Sequence, residues 1–379
     1  MGEYSVLTIG KFELEYAKNA IPDNVFELFL FSDKKNVYKN NSKIKGEFVK
    51  SGYDIKSRLD LLGYSEKNLL KKYTKFQNSL PSYLKFEMTF IKFKSVVLSI
   101  NLAEKPHITN SDDEFFYHLD SDIQRYIFHN LEIHDSNTTM NMMEALNYLD
   151  PLLVLRILLE DYDNCNNELR LDYYDVMEAG WITEDNLKFE INKNDKIFIV
   201  TEGHSDTEII ESSINELAPK ISDFFEFIDM SANYGYTGTS MIIKLYNALC
   251  KLDIQKQILI VVDNDLTGNQ CIDKLKVCSQ LPNIKYMTLP YLNSAEHFPV
   301  LRKHIKAEEN INKYAVTIET FLDFKKLDPY ISVGKSGYGK IVPKTEIKKI
   351  FFKRNNKNYD YHKLQFLVNS IVDFWIQNR

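Results

Sequence analysis

Two apolar runs that each end in acidic residues constrain the fold more than any other feature of this sequence. The first run, Ile197-Phe-Ile-Val-Thr-Glu202, is followed directly by Gly203-His-Ser-Asp206. The second, Ile258-Leu-Ile-Val-Val262, is followed by Asp263-Asn-Asp265. Short runs rich in β-branched residues predict buried strands. Because ligands bind beyond the carboxyl ends of strands in open α/β sheets, the acids are predicted to share one site.

The sequence around these runs alternates between strand and helix patterns. Strands are predicted over 197–201, 223–230, 257–262 and 283–289, and helices over 205–217, 240–252 and 266–279. This alternation predicts a largely parallel sheet covered by helices. The polar stretch 186–196, which precedes the first strand, marks the predicted main domain boundary.

The remaining segments are less regular. Strands are predicted over 4–10 and 26–32 with a polar connection between them, and helices over 54–86 with a break at Gly63, 141–148 and 151–159. The apolar run 87–102 fits either a strand pair or a buried helix. Residues 296–313 are polar and predicted to be helical. The tail 343–377 holds two helical patterns, the last placing Leu364, Leu367, Ile371 and Phe374 on one face.

Composition excludes several classes of protein. The net charge of −6 argues against a generally basic nucleic-acid coat, so contact with nucleic acid must be local or bridged by metal ions. The four cysteines show no paired spacing, which argues against a disulfide framework or zinc cluster and favours a reducing cytosol. No apolar run approaches the roughly 20 residues that cross a bilayer, and the N-terminus lacks a secretory pattern. We therefore expect a cytoplasmic protein without a membrane partner.

Glu202, Asp206, Asp263 and Asp265 are the candidate metal ligands. Asp206 follows Glu202 by about one helical turn, and Asp263 and Asp265 alternate along an extended backbone, which points them to one side. Carboxylate oxygens are the preferred ligands of Mg²⁺ and Mn²⁺. Two such ions about 4 Å apart can promote phosphodiester cleavage. Any single acid could equally be a helix cap or turn residue, but the constellation at two strand ends favours a site for one or two ions.

The residues around these acids resemble a known fold. The segments Val200-Thr-Glu-Gly-His-Ser-Asp-Thr-Glu208 and Ile260-Val-Val-Asp-Asn-Asp265 together resemble the Toprim domain of topoisomerases, bacterial primases, recombination proteins and OLD-type nucleases. The Glu-Gly-x-x-Asp form is most similar to the OLD-type nucleases. That resemblance implies that a later [Ser/Thr]-x-Glu and a lysine complete the site. Thr317-Ile-Glu319 and Lys340 occupy matching places, and Lys344 in the same loop competes with Lys340 for the role of the lysine.

The N-terminal segment Tyr4-Ser-Val-Leu-Thr-Ile-Gly-Lys11 resembles the opening of the domain that precedes Toprim in HEPN/Toprim-associated bacterial proteins. HEPN ribonucleases use an Arg-x(4–6)-His motif. Arg125 is separated from His129 by three residues and from His134 by eight, so neither pair fits. We therefore expect a non-catalytic domain with a sensing or docking role.

Together the two resemblances imply a domain layout. They indicate an α+β N-terminal domain over 1–190, an α/β Toprim catalytic domain over 191–345 and a helical C-terminal extension over 346–379. The catalytic domain is expected to be Rossmann-like, with a mainly parallel sheet flanked by helices.

The resulting functional prediction is a metal-dependent Toprim endonuclease that cleaves DNA or RNA, tRNA included. The resemblance implies a toxic effector in anti-phage defence, acting by abortive infection. The absence of an ATPase motif suggests a separate ATPase or sensor protein as partner, and self-association as a homodimer is a further expectation. The alternative is a non-catalytic nucleic-acid-binding Toprim module in recombination or repair. A primase or topoisomerase is less favoured, because the zinc-binding residues of primases and a recognisable cleavage tyrosine are missing.

Three further features have two interpretations each. Gly235 and Gly238 precede a helix and could cradle a phosphate or form an ordinary turn. His204 beside the acids could act as a base or could start a helix on its solvent side. The lysines of the C-terminal tail could follow a phosphate backbone or solvate a helix face.

Overall fold

The computed structural model describes residues 2–39, 42–84, 88–104, 119, 121–130, 136–228, 238–252, 254–278, 280–334 and 337–379. The chain divides into two compact units, with the division between Ile191 and Asn192. No helix in the described part of the chain is both long and apolar enough to span a membrane.

The first unit contains an antiparallel sheet with the strand order β2-β1-β5-β4-β3. Its strands are β1 (Tyr4–Ile9), β2 (Phe12–Lys18), β3 (Lys34–Lys39), β4 (Ser42–Ser51) and β5 (Glu168–Asp172). Alternate residues of the strands, such as Leu7 and Ile9 on β1, are fully buried. This period of two places one face of the sheet in the core.

Helices cover the rest of the first unit. They are α1 (Gly52–Leu59), α2 (Leu69–Ser79), α3 (Phe90–Leu98), α4 (Asp122–His129), α5 (Ser136–Leu146), α6 (Pro151–Leu158), α7 (Tyr162–Cys165) and α8 (Tyr174–Glu178). The predicted break at Gly63 is confirmed, because Gly63 has a φ of 85° between α1 and α2. The predicted start at Pro151 is also confirmed, since the Asp150 carboxylate accepts a hydrogen bond from the Leu152 amide at 3.0 Å. The run 87–102 contains a helix, α3, and not a strand pair.

The predicted strand over 26–32 is wrong. Residues Phe31–Asp33 form a short 3-10 helix, because the Asp33 carboxylate accepts a hydrogen bond from the Leu30 amide at 2.8 Å. The second strand is instead β2, within the stretch that was predicted to be a polar connection. Phe12 and Leu14 alternate there with glutamates, so the strand has one buried face despite its charge.

The second unit is built on a parallel sheet with the order β10-β8-β6-β7. Its strands are β6 (Ile197–Val200), β7 (Phe225–Ile228), β8 (Gln257–Val262) and β10 (Ile284–Thr288), and the short β9 (Asn264–Asp265) follows β8. The connecting helices are α9 (His204–Leu217), α10 (Thr239–Leu252) and α11 (Leu266–Lys276). The predicted α/β organisation with a parallel sheet is thereby confirmed.

A second sheet, with the order β12-β11-β14-β15, follows in the same unit. Its strands are β11 (Phe298–Arg302), β12 (Ile305–Glu309), β14 (Tyr330–Val333) and β15 (Gly339–Val342), and β13 (Ala315–Val316) pairs with β9. The prediction of a helix over 296–313 is therefore wrong. The strand β12 is solvent-exposed along nearly its whole length, so it carries no apolar periodicity that would identify it.

Two helices end the chain, α12 (Lys344–Phe352) and α13 (His362–Asn378). The predicted apolar face of α13 is mostly confirmed, because Leu364, Leu367 and Ile371 are fully buried. Phe374 is only half-buried, and its neighbour Trp375 takes the core position instead.

The turn between β11 and β12 has an unusual backbone. The pairing of Arg302 with Ile305 leaves a loop of two residues, Lys303 and His304, with φ angles of 44° and 75°. A hairpin loop with positive φ at both central positions normally carries Asn-Gly, since residues with larger side chains are strained there by about 1 kcal/mol each.

The double variant K303N/H304G is expected to raise the free energy of unfolding by about 1 kcal/mol, because Asn-Gly relieves this strain. Urea unfolding of the full chain measures the change. The variant K303A/H304A keeps a Cβ at both left-handed positions and should gain nothing. Equal stability of the two double variants would contradict the strain argument.

Candidate functional site

The two parallel strands β6 and β8 bring the first acids together. Val200 pairs with Ile260 in register, so both strands end at the same edge of the sheet. Just beyond that edge the Asp263 amide donates a hydrogen bond to Oε1 of Glu202 at 3.0 Å. Asp206 lies in the first turn of α9, which begins two residues after Glu202. The sheet register therefore positions three of the predicted acids.

Asp265 has a structural contact of its own. Its Oδ1 accepts a hydrogen bond from the Gly268 amide at 2.7 Å, which caps α11. Gly268 is required for this tight entry into the helix, because a Cβ there would lie 2.0 Å from the carbonyl oxygen of Asp263. The helix-cap interpretation therefore holds for Asp265, and the cap fixes its carboxylate beside Asp263.

The later segment Thr317–Glu319 joins the same site. The pairing of β9 with β13 places this segment next to Asp263, whose Oδ1 accepts a hydrogen bond from the Ile318 amide at 3.2 Å. The Thr317 hydroxyl donates to Oε2 of Glu319 at 2.6 Å. Glu319 is completely buried.

Two lysines of α12 pair with the buried Glu319. The Nζ atoms of Lys344 and Lys348 each lie 3.0 Å from its Oε1. Burial opposes ionisation of Glu319, but the two lysines and the Thr317 hydroxyl outweigh it and lower its pKa. The same Glu319 raises the pKa of Lys344 against the effect of burial. Both partners are therefore held in their charged forms.

The pKa values of three other acids in the site are raised. Burial, with the charges of Asp265 and Asp206, raises the pKa of Glu202 to about 7. Burial and Glu319 raise the pKa of Asp206 to about 6. The pKa of Asp263 lies well above its usual range, because burial adds to repulsion from its four neighbouring carboxylates. The fold therefore disfavours the ionised forms of Glu202, Asp206 and Asp263 when no cation is bound.

The predicted lysines flank a cleft beside the acids. Lys340 on β15 is exposed, and with Lys344 it lines a cleft of about 700 Å³ that also reaches Asp263, Asp265 and Thr317. Lys344 is the one in contact with Glu319. Lys348 was not predicted as a site residue, although its spacing of four residues from Lys344 on a helix places the two on one face.

The remaining candidates are arranged differently. Nε2 of His204 lies 3.4 Å from Glu208, one turn along the exposed side of α9. The Gly238 amide donates a hydrogen bond to the backbone oxygen of Glu202 at 3.0 Å, so this glycine supports the strand end. Gly235 and His134 lie outside the described residues.

The donor set fits a hard divalent cation. No group of three or more His, Cys, Asp and Glu side chains in the described ranges is already arranged to hold a metal ion. The donors themselves are nevertheless carboxylates, and burial together with their mutual repulsion raises the pKa of Asp263. A divalent cation would relieve that repulsion, and oxygen ligands of this kind suit Mg²⁺ and Mn²⁺.

The raised pKa values predict that stability in EDTA falls as pH rises. The pKa of Glu202 rises from 4.5 to about 7 on folding, and the pKa of Asp206 rises from 3.8 to about 6. Between these values the folded protein keeps protons that the unfolded chain has released. The unfolded state binds fewer protons in this window, so the free energy of unfolding decreases with pH.

Thermal unfolding between about pH 5 and about pH 8 measures this effect. Glu13 and Asp60 in the first unit also have raised pKa values, so the difference between wild type and E202Q is diagnostic. The melting temperature of E202Q should fall less steeply with pH. Parallel curves for the two proteins would contradict the prediction.

Comparison with known proteins identifies the first half of the chain. A family model described as HEPN/Toprim N-terminal domain 1 matches residues 1–195, just over half of the 379 residues. No curated protein and no solved structure gives a significant match. The resemblance predicted from Tyr4–Lys11 is confirmed to this extent. The chain belongs to the HEPN/Toprim N-terminal domain 1 family.

Proposed function

We propose that residues 191–345 form a Toprim-type catalytic domain with an OLD-like site that cleaves phosphodiester bonds. The family suggests a nuclease-like or defence-related module. The observation that carries the proposal is the meeting of three segments at one strand edge. The Asp263 amide bonds to Glu202, and the Asp263 carboxylate accepts from the amide of Ile318, beside Glu319.

The carboxylates of this site, with the Thr317 hydroxyl, are the proposed ligands of one or two Mg²⁺ or Mn²⁺ ions. The carboxylate ligands would be Glu202, Asp206, Asp263, Asp265 and Glu319. Such ions, when bound, supply Lewis-acid activation of water and stabilisation of the leaving oxygen. The high pKa values of Glu202 and Asp206 mean that both carboxylates give up protons before they can act as ligands near neutral pH.

The lysines have separate proposed roles. Lys340 is exposed on the cleft wall, where its ammonium group can neutralise charge on a phosphate. Lys344 already pairs with Glu319 and would have to leave that carboxylate to do the same. Lys348 also contacts the Ser205 hydroxyl at the start of α9, so it ties Glu319 to the segment that carries Asp206.

A non-catalytic nucleic-acid-binding module is the second candidate. The observation in its favour is the pairing of Glu319 with both Lys344 and Lys348, which neutralises one proposed ligand without any metal. Burial and the neighbouring carboxylates raise the pKa of Asp263, which argues for the nuclease instead, because a divalent cation would offset that repulsion.

The first unit is proposed to sense or dock and not to cleave. The guanidinium of Arg125 donates to the Leu119 carbonyl at 3.1 Å and lies 3.7 Å from Asp122, which are contacts that support α4. We propose a role for the whole chain in anti-phage defence by abortive infection. A separate ATPase or sensor would control the toxic activity, and self-association as a homodimer belongs to the same proposal.

Purified full-length protein is expected to cleave plasmid DNA or tRNA with Mg²⁺ or Mn²⁺ and not with EDTA. Asp263→Ala should lower the rate by about a hundredfold or more, because it removes the carboxylate at the centre of the cluster. Gel electrophoresis of the products measures both effects and separates DNA from RNA as substrate.

Asp273→Ala is the matched control, since Asp273 lies on α11 but is exposed and pairs with Lys276. Its rate should equal that of the wild type. The variants K340M and K344M in the same assay show which lysine supports cleavage, because the variant that loses it has lower cleavage activity. Cleavage by D263A at the rate of D273A would overturn the proposed function.

A further inference from the structure

The hairpin of β11 and β12 ends beside the cleft. Arg302, the last residue of β11, pairs with Val333, and Val333 pairs with Gly339 on the other side. The hairpin turn and the Gly339–Lys340 wall of the cleft therefore lie at the same end of this sheet. Two strand spacings, or about 10 Å, separate them.

A second contact ties the hairpin to the acid cluster. The Arg302 guanidinium lies 5.2 Å from the centre of the Tyr314 ring. The backbone of Tyr314 in turn forms a β-bridge with Asp265. The base of the turn is thus anchored next to a proposed metal ligand, and its position relative to the cleft is fixed by packing and by sheet register.

The turn presents basic side chains that no acid in the described residues neutralises. Arg302 forms an ion pair with Glu309 at 2.8 Å, and Lys306 forms one with Asp328 at 3.2 Å. Lys303 and His304 are exposed, and neither pairs with an acid in the described part of the chain. In a protein with a net charge of −6, a basic turn without a described acidic partner favours an anionic ligand, and a cation held by the acids would let the same ligand enter the cleft.

The backbone of the turn adds an independent argument. Lys303 and His304 have φ angles of 44° and 75°, positions where Asn-Gly would be unstrained. Protection of the exposed edge strand β12 explains charged residues along that strand, but it does not explain strained basic residues at the turn itself. Strain of this kind persists at sites that contact ligands.

We propose that the β11–β12 turn is a contact for the phosphodiester backbone of the nucleic acid whose cleavage is proposed above. Lys303 and His304 would hold phosphates of the same strand that enters the cleft past Lys340. The inference rests on the proposed function, and it adds a binding surface outside the acid cluster. Phosphate contacts carry no base specificity, so the surface would act on any sequence.

The variant K303N/H304G tests the contact without endangering the fold, because Asn-Gly suits the turn better than the native pair. Binding of fluorescein-labelled single-stranded and duplex DNA and RNA is measured by anisotropy, with Ca²⁺ in place of Mg²⁺. The variant should bind about threefold to tenfold more weakly. The slope of log affinity against log salt concentration should fall by about one, the amount expected for one lost phosphate contact. Weakening with DNA alone or RNA alone supports the contact and names the substrate.

Lys325→Gly is the matched control. Lys325 also has a left-handed backbone, with a φ of 51°. It follows Phe324, whose ring contacts Phe298 at the opposite end of β11. This variant removes one lysine charge from the same sheet region and should bind as the wild type does. Unchanged affinity of K303N/H304G, or an equal loss in K325G, would overturn the proposal.

Cleavage with Mg²⁺ is measured in parallel to separate the two proposals. If D263A loses cleavage and K303N/H304G binds as the wild type does, the proposed turn contact is wrong and the proposed nuclease activity is supported. Weaker binding by K303N/H304G without any Asp263-dependent cleavage removes the nuclease and leaves a backbone-binding turn on a non-catalytic module.

Discussion

Repulsion among carboxylates gathered at the ends of β6 and β8 is the constraint on which the second unit depends. The hydrophobic strands fix Glu202 and Asp263 at one edge, and the amide of Asp263 bonds to Glu202. Burial at that edge, and then repulsion between the acids, raises the pKa values of Glu202, Asp206 and Asp263. A protein selected for stability alone would place apolar or paired residues at this edge. The clustered carboxylates with raised pKa values therefore indicate a function that needs acidic side chains there.

The surrounding structure compensates this charge only in part. Backbone amides of Asp263 and Ile318 each donate to a carboxylate, and Lys344 and Lys348 neutralise Glu319. The lysines also lower the pKa of Asp206, and Lys344 lowers that of Glu202, but burial and acid–acid repulsion outweigh them and the pKa values of Glu202, Asp206 and Asp263 stay raised. The site is therefore divided between a compensated side at Glu319 and an uncompensated side at Asp263. A divalent cation would therefore stabilise the ionised carboxylates most on the side of Asp263.

Local pattern was enough to predict the parallel sheet and its first four acids. The β-branched runs before Glu202 and Asp263 identify buried strands, and parallel strands end at one edge. Glu319 was predicted only through the Toprim resemblance, because its approach depends on the pairing of β13 with β9. Lys348 was missed for the same reason, since its role depends on where α12 packs. Strand β12 was missed because it has no buried face.

Calorimetric titration of the full chain with Mn²⁺ tests whether the acid cluster binds a divalent cation. Ionised carboxylates must replace protonated ones when a cation binds, so binding in buffers of different ionisation enthalpy should report proton release near neutral pH. The wild type is expected to bind Mn²⁺ with release of protons, and Asp263→Asn is expected to lose this binding. Absence of binding to the wild type, or equal binding by Asp263→Asn, would show that the carboxylates do not form a cation site.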